Sequence, residues 1–136
     1  MIKIIMGRKG SGKTKAIAAL ANEAVKSEKG NIVFLERGNK LTYDIHISAR
    51  LVDTKHYQVE GFERFVGFIY GLAAGNYDIT HIFIDSVFKI VKSEDMGLFE
   101  KFLGELEVLS NESNINFTMT ISAEAEAATD LVKKYF

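Results

Sequence analysis

The stretch GRKGSGKT, Gly7 to Thr14, constrains this 136-residue chain more than any other. It carries three glycines and three cations, follows the apolar run MIKIIM, and precedes residues whose apolar positions recur at helical spacing. The run Ile2–Met6, rich in isoleucine and bounded by glycine, predicts a buried strand. From Thr14 onward, Ile17, Leu20, Ala21, Ala24 and Val25 fall on one face of a predicted amphipathic helix, which Lys29-Gly30 should stop. A glycine-rich turn placed between strand and helix leaves backbone N–H groups and the positive end of the helix dipole facing whatever the turn encloses.

The spacing satisfies G-x-x-x-x-G-K-[ST] through Gly7, Gly12, Lys13 and Thr14. A loop that wraps phosphates needs inward-pointing N–H groups and unusual dihedrals, which Gly7, Gly10 and Gly12 permit. The expected nucleotide-binding residues are therefore Gly7, Arg8, Lys9, Gly10, Ser11, Gly12, Lys13 and Thr14. Lys13 would bring its charge to the β- and γ-phosphates, and the Thr14 hydroxyl would ligate Mg²⁺. The competing reading is a flexible basic turn that matches by chance, and the strand before and helix after it argue against that. Arg8 and Lys9 could equally be solvated.

Further along, NIVFLE (Asn31 to Glu36) predicts a second strand. KLTYDIHISARLVDTKHYQ is less legible and should hold one or two short strands, with Arg50 to Asp53 the better candidate. Phe62, Phe65, Val66, Ile69 and Leu72-Ala73 mark a second helix ending near Gly75-Asn76, so the aromatic residues of GFERFVGFIY are expected in the core. HIFID (His81 to Asp85) is a third apolar strand. Ser93-Glu94-Asp95 supply cap-type residues for a third helix with Met96, Phe99, Phe102-Leu103, Leu106 and Leu109 on its apolar face. NFTMTIS (Asn116 to Ser122) predicts another strand, and TDLVKKY a short final helix. Strands alternating with helices predict one α/β domain over residues 1–136, three-layered, with a mostly parallel sheet of about five strands flanked by helices. Ligands of such sheets bind beyond the carboxyl ends of the strands, where GRKGSGKT and Asp85 should both lie.

A nucleotide-bound Mg²⁺ asks for a carboxylate besides the loop hydroxyl, and an Asp ending an apolar strand brings one to the right edge of the sheet. Asp85 is the expected metal-side carboxylate, acting through water; the alternative is an Asp that merely ends a strand. Hydrolysis also needs a group to orient or deprotonate water. Many P-loop ATPases carry a glutamate directly after the strand-end Asp, and Ser86 stands there in this chain. Glu36 is the best substitute and, with Lys13, the expected catalytic pair, although a solvated carboxylate opening a turn is an equal alternative. Asp44 and Asp53 are weaker rivals, and Ser122 could sense a γ-phosphate or simply start a loop. His46, His56 and His81 lack metal-ligand spacing and are expected at the surface or at strand ends. Arg37, Arg50 and Arg64 could each lend a charge to a neighbouring subunit's nucleotide, with nothing to choose among them.

With these residues in place, the chain resembles the P-loop NTPases of the RecA-like branch. GRKGSGKT, NIVFLE with its terminal glutamate, a variable strand, HIFIDS and NFTMTIS follow one another in a similar order. The resemblance implies a three-layer P-loop NTPase fold, ATP and Mg²⁺ as ligands, and a water-activating role for Glu36, because in that branch this glutamate ends the strand after the first helix. The chain is also similar to small bacterial P-loop proteins labelled twitching-motility ATPases, and at 136 residues it is expected to be too short for a motor with a separate N-terminal domain. It departs from RecA-like proteins in lacking their further strands, their DNA-binding loops and a recognisable arginine finger. A RecA-like strand order would put the phosphate-loop strand at a sheet edge, and an exposed apolar edge invites pairing, so a homo-oligomer or a protein partner is expected.

Composition narrows the function classes. A net charge of -1 and no legible basic face give no reason to expect nucleic acid as a partner. No apolar run approaches the ~20 residues that span a bilayer, and no signal peptide is recognisable. The absence of cysteine excludes thiol chemistry and disulfides and fits the cytoplasm. The leading expectation is a slow Mg-ATPase whose nucleotide state controls a protein partner. A non-hydrolysing nucleotide-binding or scaffold module is the alternative, which Ser86 keeps open. A small-molecule or nucleotide kinase ranks lower, because the chain has only four arginines and no evident lid. GTP is not expected, since no N/T-K-x-D motif is present.

Overall fold

The computed structural model describes residues 1–136, and the first predicted strand is there as β1 (Ile2–Gly7). Helix α1 (Lys13–Ser27) follows the glycine-rich loop. Next come β2 (Asn31–Glu36), β3 (Arg50–Asp53), α2 (Phe62–Gly75) and β4 (Ile79–Ile84). The short α3 (Val87–Val91), the long α4 (Met96–Ser113), β5 (Asn116–Ser122), a 3₁₀ turn (Ala125–Ala127) and α5 (Asp130–Lys133) complete the chain. The strands pair in the order β1-β5-β4-β2-β3, and every pairing is parallel. The protein is therefore an α/β structure with a five-stranded, all-parallel sheet flanked by helices.

Side-chain alternation along the central strands divides the core between two faces. On one face, Ile32 and Phe34 of β2 and Phe83 of β4 meet Ile17, Ala21 and Ala24 of α1. On the other, Val33, Leu35, Ile82 and Ile84 meet Phe65 and Ile69 of α2 and Phe99, Phe102 and Leu106 of α4. Both faces are covered, which is why the strand sequences are almost continuously apolar. Leu41, Ile45 and Ala49 of the β2–β3 connection join the α1 face.

β1 lies at an edge of the sheet, the position a RecA-like order predicts. That edge is partly covered, because the Ile4 N–H donates to the Tyr135 carbonyl at 2.7 Å and Val132 of α5 is fully buried. No helix is long and apolar enough to cross a membrane.

The β2–β3 region holds one strand, β3, at the better of the expected positions, and otherwise turns. Other expectations change. Leu20 lies on the exposed side of α1, and Ala18 takes its place in the core. Helix α3 has no counterpart in the sequence reading. Of the three cap-type residues, Asp95 caps α4, accepting the Leu98 N–H at 2.9 Å. His81 is neither at the surface nor at a strand end. It is buried inside β4, with Nδ1 2.7 Å from Glu28 Oε2 and Nε2 2.8 Å from Thr118 Oγ1. Burial holds its pKa below the ordinary imidazole range, against the opposing pull of Glu28.

Candidate functional site

The glycine-rich loop leaves β1 at Gly7, which pairs with Ser122 of β5 and accepts the Ala123 N–H at 3.2 Å. Gly10 (φ +83°) and Gly12 (φ +89°) adopt the left-handed conformation that side chains resist. A Cβ on Gly7 would meet Ser11 Oγ at 2.7 Å, so the loop is also tightly folded on itself. Gly12 stands at the start of α1 with no side chain to cap the helix, which leaves its first N–H groups directed into the loop. Lys13, in the first turn, is only 8% exposed. Its ammonium folds back into the loop and donates to the Arg8 carbonyl at 2.7 Å and to Ser11 Oγ at 3.4 Å. The Arg8 guanidinium turns away, pairing with Glu124 at 3.0 Å on the exposed surface.

Asp85 follows β4 directly and is 7% exposed. Thr14 Oγ1, 71 positions away in the sequence, donates to its Oδ2 at 2.9 Å. Thr120 Oγ1 of β5 donates to its Oδ1 at 2.8 Å and accepts the Ser86 N–H at 2.7 Å. Both carboxylate oxygens are thus fixed by hydroxyls, and Ser86, at φ 61°, turns the chain sharply into α3. Thr120 is the participant that the sequence reading missed. Its signal was a hydroxyl buried in a central strand, which needs a partner.

Glu36, at the end of β2, is 5% exposed and accepts the Leu41 N–H at 3.1 Å. Burial raises its pKa above the usual carboxylate value, opposed by the Leu41 N–H and reinforced by the charges of Asp85 and Asp53. Asp53 is Glu36's register partner on β3, and its carboxylate accepts the N–H groups of Gly38 and Lys55. Three adjacent strands therefore end in carboxylates: Asp85, Glu36 and Asp53.

A cleft of about 1230 Å³ opens beside the loop. Five lysines line it, Lys9, Lys13, Lys15, Lys89 and Lys92, against two acids, Asp44 and Glu94. This balance favours an anion. Ser86 and Ser122 also face it, whereas Glu36 and Asp85 do not line it. Asn22 of α1 holds the rim, its side chain donating to the Asp44 carbonyl and accepting the His46 N–H, each at 2.8 Å. The structure thus brings together the loop, Lys13, Thr14, Asp85 and Ser122. Glu36 lies next to this group but is enclosed, and Arg50 lies outside the cleft. No group of three or more His, Cys, Asp or Glu residues could hold a metal ion by itself. No family model matches the chain, and no curated protein matches it in sequence.

Proposed function

We propose that the chain is a P-loop protein of the RecA-like kind that binds Mg-ATP and hydrolyses it slowly, its nucleotide state governing a protein partner. The observation that carries this reading is the convergence at the loop, with the Lys13 ammonium folded inside it and the Thr14 hydroxyl 2.9 Å from Asp85. Uncapped N–H groups at the start of α1 and the Lys13 charge suit phosphate oxygens. Thr14 and Asp85 offer the hard oxygen donors that Mg²⁺ prefers, and their small number suits a cation that completes its shell with phosphate and water. When bound, Mg²⁺ supplies charge neutralisation at the phosphates. Thr14 would hold the metal side and Lys13 the phosphates, while the Thr14 and Thr120 hydroxyls fix the position of the Asp85 carboxyl group. Glu36 would take a proton from water, and its raised pKa brings it closer to the range of an effective general base.

The alternative, a nucleotide-binding module without hydrolysis, is favoured by one observation: Glu36 is enclosed and already engaged with Leu41. Phosphate release from Mg-ATP, measured beside Lys13→Ala and Glu36→Gln, separates the two. The hydrolase reading expects both variants to lose turnover, Glu36→Gln by about 10²-fold or more while still binding nucleotide. Mg-ATP binding without turnover in the parent protein selects the module. An absence of binding removes both.

A further inference from the structure

Beyond the cleft lies a second, smaller cationic hollow of about 310 Å³. Arg37 follows β2, Lys55 follows β3, Arg64 stands in the first turn of α2, and Lys92 closes α3; all four line it. Lys92 also lines the larger cleft, so the two cavities are neighbours. One carboxylate, Glu60, faces the four cations and approaches Lys92 at 3.8 Å. Arg37 and Lys55 form no ion pair, and the Arg64 guanidinium donates to the Gln58 carbonyl at 3.1 Å. In a chain of net charge -1, four cations facing a single carboxylate are not average surface. The same field reaches Lys89 in the cleft, whose pKa is lowered by burial and by repulsion from Lys40 and Arg37.

The backbone marks the same place. Four non-glycine residues have left-handed φ, and Gln58 (58°) and Lys92 (57°) both line this hollow. Ser86 lines the adjoining cleft, while Lys92 and Asn114 end α3 and α4, where such a conformation is ordinary, so Gln58 is the one that no helix end explains. Side-chain-bearing residues hold this conformation only where their surroundings enforce it, and such residues gather at ligand sites.

We infer that the hollow binds a second anion, the phosphate monoester of a small molecule, beside the nucleotide cleft. The planar forks of Arg37 and Arg64 suit paired phosphate oxygens, and Lys55 and Lys92 add point charges. Its volume stands at the small end of ligand cavities, which run from about 300 to 1,000 Å³. A nucleic-acid strand asks for aromatic faces along a basic groove, and no aromatic residue lines this one. The inference does not rest on the nucleotide reading, because none of the glycine-rich loop takes part.

The test is an NMR titration of ¹⁵N-labelled protein with glycerol 3-phosphate, with glycerol as the uncharged control. The parent is compared with Lys13→Ala and with Arg37→Gln/Arg64→Gln. Resonances of Arg37, Lys55, Gln58, Arg64 and Lys92 are expected to shift and saturate in the parent and in Lys13→Ala alike, and to ignore glycerol. The double variant should bind at least about tenfold more weakly. Arg64→Gln alone, at an exposed position, carries the comparison if the double variant does not fold. Shifts confined to residues 7–14 and abolished by Lys13→Ala would overturn the proposal, as would unchanged affinity in the arginine variants. A single-stranded oligonucleotide that shifts these resonances where glycerol 3-phosphate does not would also overturn it. A failure to bind Mg-ATP would sink the nucleotide reading and leave this result standing.

Discussion

Asp85 and Glu36 end neighbouring strands and live under opposite conditions. Hydroxyl donors hold both oxygens of Asp85, whereas Glu36 has only backbone N–H donors, two like-charged neighbours and little solvent. Because its folded pKa is raised from 4.5, ionising Glu36 works against folding. Below about pH 4.5 the carboxyl is protonated in both folded and unfolded chains, and no penalty arises. The penalty grows as pH rises from there and is complete above the folded pKa. Glu36→Gln keeps an acceptor for Leu41 and removes the charge. It is therefore expected to raise the melting temperature at pH 7, with the gain fading toward pH 4. Thermal melts of both proteins across that range check it; a gain equal at every pH would mean that charge is not its source. Paired with loss of turnover, that gain would show a carboxylate kept for its chemistry at a cost to the fold.

At the scale of elements, the start of β2 depends on a close approach. A Cβ at Gly30 would run into the Thr80 side chain and the Asp78 carbonyl. Gly30→Ala should destabilise the protein by roughly 1–3 kcal/mol. Trimming the obstacle with Thr80→Ala should recover part of that loss, which denaturant midpoints of the two single variants and the double variant would reveal. Loss without any recovery would place the clash on the Asp78 carbonyl alone. The sequence let Gly30 be seen as a helix stop but not as a packing contact, because its neighbour lies fifty positions downstream. The same division runs through the molecule. Strands buried on both faces show as apolar runs, so β2 and β5 lie where they are expected. Helix α3 has five residues, too few to show a period, and it continues the apolar character of β4. The β2–β3 turns bury Leu41, Ile45 and Ala49 without forming a helix or a strand, so the segment is the least legible in the sequence. The glycine-rich loop was legible because its residues are contiguous. The partners of His81 stand 53 and 37 positions away, and the four cations of the hollow come from four segments. Nothing local announces either arrangement.

Over the whole molecule, a net charge of -1 hides a local excess of cations around the cleft, where five lysines face two acids. Lysines and arginines gather at the carboxyl edge of the sheet, while α4 carries Glu100, Glu105, Glu107 and Glu112 with Lys101 as its one cation. Attraction of a nucleotide to the cleft should therefore depend on ionic strength despite the near-neutral total. Mg-ATP affinity is expected to fall several-fold as the screening length shrinks from about 10 Å at 0.1 M salt to about 3 Å at 1 M. A titration series across that range tests it, and a constant affinity would show that the lysines of the cleft contribute no net field.

The pairing of β1 with β5 also sets an order in time. Ile2 lies beside Phe117 and Gly7 beside Ser122, so β1 has its only strand neighbour in a segment made long after it. During synthesis the glycine-rich loop emerges well before β5, and the strand that supports it has no sheet to join until β5 has been made. The other three strands can pair among themselves before then, and the loop gains its footing only once β5 has emerged. A chain cut short before β5 would thus carry the complete motif and none of the support that shapes it.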